Sequence, residues 1–309
     1  MYKKILENFG KLKDKSISDL YITLNRKLIV IFYKVFSLYP TSRPFLSADT
    51  FRKLASVVYR GEKLNLTKPE IIYLQSKYLK KFSKSAKKIK QNFILISHDG
   101  DDLVDSSYKH LANNPFLIRW YAANSILKHT KVRPIPLGLQ NRRLHLFGVI
   151  SDFIKLRKKN QKKLPRILSC FDIRTNPIAR KPVLDILRRL KTVNEFKGTA
   201  TVYRQQLNKY MFFASPRGSG IDTYRTWEGI YLNAIPIVVE KKFYEQFKKI
   251  PFLIIKDWKE LESYSASDLN SIYQNKIKKL KENKYIWYDY WHKDIQKDIQ
   301  KLFKENLKD

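Results

Sequence analysis

The segment 214–239, ASPRGSGIDTYRTWEGIYLNAIPIVV, combines glycines, arginines and a carboxylate at spacings that suit a diphosphate ligand. Gly218 and Gly220 permit a tight turn and close approach of the backbone to a ligand. A helix predicted to begin just after them directs its free amides and the positive end of its dipole at the turn, where Arg217 and Arg225 add charge. The chemistry expected of this segment is therefore phosphate binding.

The predicted helix has two different faces. Trp227, Ile230 and Tyr231 follow helical spacing and are expected to pack on a sheet. Arg225 and Glu228 are expected to share roughly the opposite side, where the carboxylate would accept hydrogen bonds from ribose hydroxyls. The simpler alternative for this pair is a surface ion pair, which contributes only a few tenths of a kcal/mol.

Polar residues mark both ends of this helix. Asp222 or Thr223 is expected to cap its beginning, and Asn233 to take the left-handed conformation that ends it before the next strand. The tetrapeptide RGSG lacks the spacing of a P-loop or a dinucleotide fingerprint. The phosphate-site prediction therefore depends on the turn, the arginines and the helix together.

A second polar cluster, His98, Asp99, Asp101 and Asp102, follows the apolar run 93–97. The run predicts a buried strand, so a site is expected in the loop after it. The five histidines have no metal-ligand spacing, and the one cysteine, Cys170, excludes a multi-cysteine zinc site. No dedicated metal site is expected, with a metal role for the D-x-D pair Asp99 and Asp101 as the lesser alternative. The lone cysteine fits a reducing compartment or simple indifference to redox state.

The chain length of 309 residues favours two domains of about 150 residues each. From residue 166 onwards, apolar strands alternate with helices, which predicts a parallel sheet covered on both faces and a Rossmann-like domain. The predicted strands are RILSCF, YMFFAS, IPIVV and FLII, and the predicted helices are RKPVLDILRRL, TYRTWEGIYL and KKFYEQFKK. The first half is less regular: residues 114–125 are predicted to be helical, and 131–141 to form a short strand entering a loop. Residues 155–163, KLRKKNQKK, are predicted to link the domains.

The charge of the chain is strongly positive, with 62 Lys and Arg against 28 Asp and Glu, a formal +34. Nucleic acid, an anionic membrane and a phosphorylated substrate are the partners that such a charge attracts. Residues 1–15 lack the features of a secretory signal, and lysines and an arginine interrupt the apolar stretch 20–39. A cytoplasmic protein is expected, with that stretch either a buried helix or a basic amphipathic helix lying on a membrane.

The sequence SPRGSGIDTYRTWEGIYLNAIPIVV resembles the donor-binding segment of exostosin-like glycosyltransferases, which typically reads S-P-R-G-x-G-x-D-x-x-R-x-W-E followed by an I-P strand. Weaker similarity extends over residues 92–295 and includes ISHDGDD, FLIRWYAAN, IPLGLQN and YDYWHKDI. One departure is Asn233, where the family usually has glycine.

This resemblance implies an α/β structure of the GT-B class, in which two Rossmann-like domains face a cleft and a C-terminal helix packs back toward the first domain. The implied boundaries are 1–155 for the acceptor-side domain, 164–285 for the nucleotide-sugar domain and 286–309 for the helix. By the same resemblance, Arg225 holds the diphosphate and Glu228 the ribose. Arg217, Gly218 and Gly220 form the phosphate turn. Arg180 is either a second phosphate ligand or a helix-surface arginine.

The predicted activity is that of an inverting hexosyl- or pentosyltransferase in polysaccharide biosynthesis. Its predicted donor is a nucleotide-sugar, most readily a UDP-sugar, and its predicted acceptor is a glycan or a membrane-attached lipid. No tightly bound metal is expected. Asp101 is the first choice for the base that removes the acceptor proton, with His98 orienting it or acting itself. The alternatives are a polar loop that merely caps a helix, a basic nucleic-acid-binding protein, and an inactive transferase that serves as a binding partner.

Overall fold

The computed structural model describes residues 17–144, 148–159 and 161–304. His145, the N-terminal segment 1–16 and the last residues of the predicted C-terminal helix, 305–309, lie outside the described residues. No helix within the described ranges is long and apolar enough to cross a membrane.

Two five-stranded parallel sheets organise the chain. The first contains, in spatial order, β1 (Val57–Tyr59), β2 (Glu70–Gln75), β3 (Phe93–His98), β4 (Leu117–Ala122) and β5 (Val132–Pro134). The second uses β6 (Leu164–Ser169), β7 (Val193–Glu195), β8 (Tyr210–Ala214), β9 (Ile235–Val238) and β10 (Leu253–Ile254), in the order β10-β9-β8-β6-β7. The predicted α/β class is confirmed.

Helices of very different lengths connect and cover these strands. In the first half they are α1 (Ile17–Val35), α2 (Ala48–Arg52), α3 (Leu79–Ser85), α4 (Lys109–Ala112) and α5 (Ile150–Lys158). In the second half they are α6 (Pro177–Leu187), α7 (Ala200–Leu207), α8 (Tyr224–Tyr231), α9 (Lys241–Tyr244), α10 (Ala266–Lys281) and α11 (Tyr288–Lys304).

Strand β3 shows why the sheets hold together. All its residues are buried, and alternate side chains enter different clusters: Ile94 and Ile96 join the core that continues into the second sheet, while Phe93 and Leu95 join a separate cluster on the other face. A parallel strand covered on both faces is expected to be apolar throughout. The buried strand predicted at 93–97 is thus confirmed.

The structure differs from the sequence prediction in three places. Residues 114–125, predicted as a helix, contain β4, because the apolar run is short and both faces of the strand are covered. Helix α5 continues into the predicted linker as far as Lys158. Strand β7 and helix α7 had no prediction. By contrast, Asn233 has φ 57°, the left-handed conformation predicted for the end of α8.

Helix α11 packs against the first sheet. Asp298 on this helix accepts hydrogen bonds from Tyr121 Oη at 2.6 Å and from Arg119 Nε at 2.9 Å. A second contact between the halves is made by the Tyr231 hydroxyl of α8. It accepts a hydrogen bond from Leu46 N at 3.1 Å and donates one to Ile286 O at 2.7 Å. The two halves of the chain are therefore joined by buried polar contacts as well as by a common core.

Candidate functional site

A cavity of about 840 Å³ opens at the carboxyl ends of β6 and β8. Its wall includes residues 170–175, which follow β6, and Gly218, Ser219 and Gly220, which follow β8. Strand order in the second sheet reverses between these two strands, since β7 lies beyond β6 whereas β9 and β10 lie beyond β8. Open parallel sheets bind ligands at such a switch point, so the topology and the cavity indicate the same place.

Among the described residues, three buried polar atoms on the cavity wall make no hydrogen bond of standard geometry: Arg225 Nε, Glu228 Oε1 and Tyr203 Oη. Glu228 is only 3% exposed. Burial raises the pKa of its carboxyl group, and the charges of Arg204 and Arg225 partly oppose that rise. Because buried polar groups normally find partners in a native protein, these three atoms are available to a polar ligand or to water in the cavity.

Helix α8 presents Arg225 and Glu228 to the cavity while its other side packs. Trp227, Ile230 and Tyr231 are fully buried, as their spacing predicts. Glu228 is buried too, and the ion pairs of the described residues include none between it and Arg225. The simpler alternative of a surface ion pair therefore does not describe these two residues.

Asp222 joins the halves of the molecule instead of capping α8. Its carboxylate accepts hydrogen bonds from Leu137 N at 3.0 Å, Trp227 Nε1 at 2.8 Å and Thr223 N at 2.8 Å. Its own amide donates to Asn124 Oδ1 at 2.9 Å. Burial raises the pKa of Asp222 to about 7. Thr223 occupies the N-cap position, but its side chain makes no hydrogen bond to a helix amide, so the predicted side-chain cap was wrong.

Arg180 is buried and supports the phosphate turn from behind. Its Nε donates to Arg217 O at 2.9 Å, its Nη1 to Asp172 O at 2.8 Å and its Nη2 to Pro216 O at 3.1 Å. Burial and the nearby charge of Arg225 lower the pKa of Arg180 to about 10. Arg180 is therefore not a helix-surface arginine: it holds backbone carbonyls while placing a positive charge on the cavity wall.

The side chain of Arg217 does not take the predicted position. Among the described residues that line the cavity, the turn is represented by Gly218, Ser219 and Gly220 but not by Arg217. Glu240 instead accepts a hydrogen bond from the Arg217 amide, and the charge of Arg217 partly offsets the rise in the pKa of Glu240 that burial causes. The structure thus gives Arg217 a backbone role in the turn and no direct part in the wall.

Two acidic residues after β3 hold their own loop. Asp99 accepts hydrogen bonds from Arg143 Nη2 at 3.0 Å and Asn141 Nδ2 at 2.9 Å. Asp102 accepts one from Ser76 Oγ at 2.6 Å. Neither residue is among the described lining residues. Within the described residues there is also no group of three or more His, Cys, Asp or Glu arranged to hold a metal ion.

Asp101 is the acidic residue that this loop brings to the cavity. Burial, and then the charge of Asp102, raise the pKa of its carboxyl group, while a hydrogen bond from the Gly220 amide opposes the rise. A loop of the first sheet therefore meets the turn 217–220 of the second at this residue. The meeting point combines a carboxylate with the turn and cations expected to bind phosphate.

His98 is fully buried and has both ring nitrogens engaged. Its Nδ1 accepts a hydrogen bond from Asp99 N at 2.7 Å, which leaves Nε2 to donate to Pro136 O at 3.0 Å. Burial lowers the pKa of the ring to about 4. The predicted use of His98 as a base is therefore not supported, because no ring nitrogen is left for an acceptor hydroxyl. Its two hydrogen bonds hold the loop that carries Asp101, and the other predicted role, that of orienting Asp101, stays a prediction.

Sequence reasoning missed several residues of the wall. Tyr203 on α7 contributes its unpartnered hydroxyl, and Phe171, Ile173 and Phe196 contribute apolar surface. The loop 170–175 could have been found, because β6 was predicted and ligand loops follow such strands. Tyr203 lies on α7 and Phe196 directly follows β7. Neither element was predicted, so no pattern in the sequence pointed to these two residues.

A scan against protein-family models and a search of curated proteins found no match. Among solved structures, a UDP-forming α,α-trehalose-phosphate synthase from Burkholderia vietnamiensis is similar at 9% identity and TM-score 0.41, covering 81% of this chain and 74% of the other. The corresponding α,α-trehalose 6-phosphate synthase from Burkholderia multivorans has 9% identity and TM-score 0.45, with coverages of 84% and 75%. A third, from Burkholderia xenovorans in complex with glucose-6-phosphate, has 10% identity and TM-score 0.40, with coverages of 81% and 76%. These values are too low to support an argument about activity.

Proposed function

We propose that this protein is an inverting glycosyltransferase that moves a sugar from a nucleotide-sugar, preferentially a UDP-sugar, to a hydroxyl of a glycan or glycolipid. The observation that carries the proposal is the convergence of three unpartnered buried polar atoms, of Arg225, Glu228 and Tyr203, on the switch-point cavity. A ligand that combines an anionic group with hydroxyls satisfies both the guanidinium and the carboxylate.

The donor's diphosphate is assigned to the turn and to Arg225. Arg180 and Arg225 are close enough that the charge of one lowers the pKa of the other, so a dianion between them would relieve their repulsion. The amides at the beginning of α8 point their positive dipole end at the same turn. Glu228 is assigned to the ribose hydroxyls, with its unpartnered Oε1 as the acceptor.

Asp101 is assigned as the general base. In the proposed step, the acceptor oxygen forms a bond to the anomeric carbon while the bond from that carbon to the diphosphate breaks. The acceptor proton passes to the Asp101 carboxylate, and the electron pair leaves with the diphosphate, whose charge Arg225 and the helix terminus stabilise. Attack from the face opposite the leaving group inverts the anomeric configuration.

The proposal includes the GT-B arrangement, with residues 1–155 on the acceptor side and 164–285 on the donor side. The contact between Asp101 and the turn supports it, because the base and the donor site then come from different halves. Cations and amides already face the leaving group, so the proposed reaction requires no resident metal. Full activity in the presence of a chelator would support this part of the proposal.

The acceptor is proposed to be held at an anionic membrane or to be a polyanionic glycan. The supporting observation is the formal charge of +34, together with the lysine-rich segment 80–90. Surface lysines near an anionic bilayer contribute about 1 kcal/mol each, and salt weakens the attraction. The protein is accordingly proposed to be a cytoplasmic enzyme that associates peripherally with that surface.

The deciding experiment compares the wild type with Asp101→Asn. Calorimetry with UDP should show equal affinity for the two proteins, whereas the transfer rate of the variant should fall by about 10²–10⁴. NMR of the product's anomeric proton tests inversion directly. Salt-dependent binding of RNA or DNA without binding of UDP would instead favour the nucleic-acid alternative, and UDP binding without transfer would favour an inactive transferase.

A further inference from the structure

Helix α1 presents an apolar stripe to solvent. Its members are large hydrophobic residues, each 51–69% exposed: Leu24, Leu28, Ile31, Phe32 and Val35. At 100° per residue these positions fall within about one third of the helix circumference. A helix of a globular protein normally turns such a stripe toward the core, so the exposed orientation requires a physical reason.

The opposite side of α1 attaches the helix to the protein through polar contacts. Arg26 donates a hydrogen bond to Asp152 Oδ2 at 2.9 Å and another to Thr201 Oγ1 at 2.7 Å. Ile29 and Val30 on this side are partly buried. The orientation of the helix is therefore fixed by an anchored face, and the apolar stripe is the face directed away.

We propose that this stripe inserts into the interfacial region of an anionic lipid bilayer. Lys27 and Lys34 are exposed and lie together along one side of the stripe, where their ammonium groups would reach lipid phosphates while their stems cover apolar surface. The formal charge of +34 repels a second copy of the chain and attracts an anionic surface. The charge and the exposed apolar area thus both favour an anionic lipid bilayer as the partner of this stripe.

Helix α1 also lies near the loop that carries Asp101. Helix α1 contacts the turn Arg142–Leu144, and Arg143 in that turn binds Asp99. Tyr39, just after α1, lies with its ring centroid 5.4 Å from the Arg143 guanidinium. If the function proposed above holds, docking would bring the acceptor loop toward the lipid surface. The docking itself does not rest on that function.

The test is sedimentation of the full chain with phosphatidylcholine vesicles that contain or lack phosphatidylglycerol. We expect binding to the anionic vesicles that weakens with salt, and a loss of at least ~10-fold in the partition coefficient of a Leu28→Ser/Phe32→Ser variant. Ile178→Ser, which removes a residue 90% exposed and outside the stripe, is the matched control. Lys27→Gln/Lys34→Gln should weaken binding more than Lys278→Gln/Lys281→Gln, which changes the charge equally.

Insertion, as distinct from adsorption, is tested by placing a tryptophan in the stripe. Fluorescence of Phe32→Trp should be quenched by brominated lipids, whereas that of Ile178→Trp should change no more than the wild type. Equal binding of the stripe variants and the control would overturn the proposal. So would stripe-dependent self-association in analytical ultracentrifugation without vesicle binding, which would assign the stripe to a second copy. If the stripe substitutions change neither vesicle binding nor the mass in ultracentrifugation, the proposal is also overturned, because the chain itself then covers the stripe.

Discussion

Gly220 lies directly against Asp101: a Cβ atom on residue 220 would stand 3.1 Å from Asp101 Oδ1. The Gly220 amide also donates a hydrogen bond to the same carboxylate. The two residues come from different halves of the chain and meet at the cavity. The absence of a side chain at residue 220 is therefore what permits the proposed base to approach the phosphate turn.

Gly220→Ala should lower the transfer rate by about 10-fold while changing UDP affinity much less, because the methyl group displaces Asp101 by a few tenths of an ångström. Gly218→Ala is the matched comparison, since its Cβ would stand 3.1 Å from Arg180 Nη2. That variant should weaken UDP binding more than it slows transfer from saturating donor. Steady-state kinetics and calorimetry on both proteins give the two quantities, and the same response in both would contradict the assignment.

Arg225 and Glu228 should respond differently to fragments of the donor. Arg225→Ala should weaken binding of UDP and of inorganic pyrophosphate by about 1.5–3 kcal/mol, since the lost bond is charge-assisted. Arg225→Lys should recover only part of this, because an ammonium group lacks the planar fork.

Glu228→Gln should weaken UDP binding but leave pyrophosphate binding unchanged, because its proposed partner is the ribose. The variant should also discriminate less between UDP and 2′-deoxy-UDP than the wild type does, a comparison that isolates the hydroxyl contact. Equal losses for UDP and pyrophosphate would remove Glu228 from the ribose and assign it another role.

The sequence predicted the parts of the fold in which local pattern and environment agree. The strands β6, β8 and β9 and the helix α8 between them combine apolar periodicity with glycine and proline boundaries, and their packing follows that pattern. Strand β4 was misread because apolar residues occupy both of its faces, only Ile118 and Arg119 being partly exposed, so the alternation that identifies a strand is absent.

The site was predicted in outline but not in detail. Arg217 and Arg225 belong to the same segment, and both were predicted to add charge at the turn. Arg225 lines the cavity, whereas Arg217 lies near Glu240. In the same way, His98 and Asp101 are three residues apart, and only Asp101 reaches the cavity. The direction of a loop side chain depends on long-range contacts, such as that of His98 with Pro136, which no local pattern encodes.

Asp152 should stabilise the protein, because it pairs with two arginines from different helices. Arg204 of α7 is fully buried and pairs with Asp152, which also binds Arg26 of α1. Asp152→Ala should lower the free energy of unfolding by about 1.5–3 kcal/mol, since it removes charge-assisted hydrogen bonds from two arginines. Urea denaturation measures this, and Asp185→Ala, which removes an exposed carboxylate of α6 that forms no ion pair within the described residues, is the control. If Asp152→Ala lowers the free energy of unfolding by no more than the control does, other contacts satisfy Arg204.

The pH dependence of transfer should reveal the charge around Asp101. The base must be ionised to accept a proton, so kcat/KM should fall as the pH falls through its pKa. Burial and the charge of Asp102 raise that pKa above the ordinary 3.8, which moves the acid limb of the profile to higher pH. Asp102→Asn removes the neighbouring charge and should shift the limb to lower pH. Asp105→Asn changes the net charge equally, but the Asp105 carboxylate is held by Ser107 at the start of the next helical turn, so its limb should stay close to that of the wild type. An acid limb that both substitutions move equally, or neither moves, would place the base elsewhere.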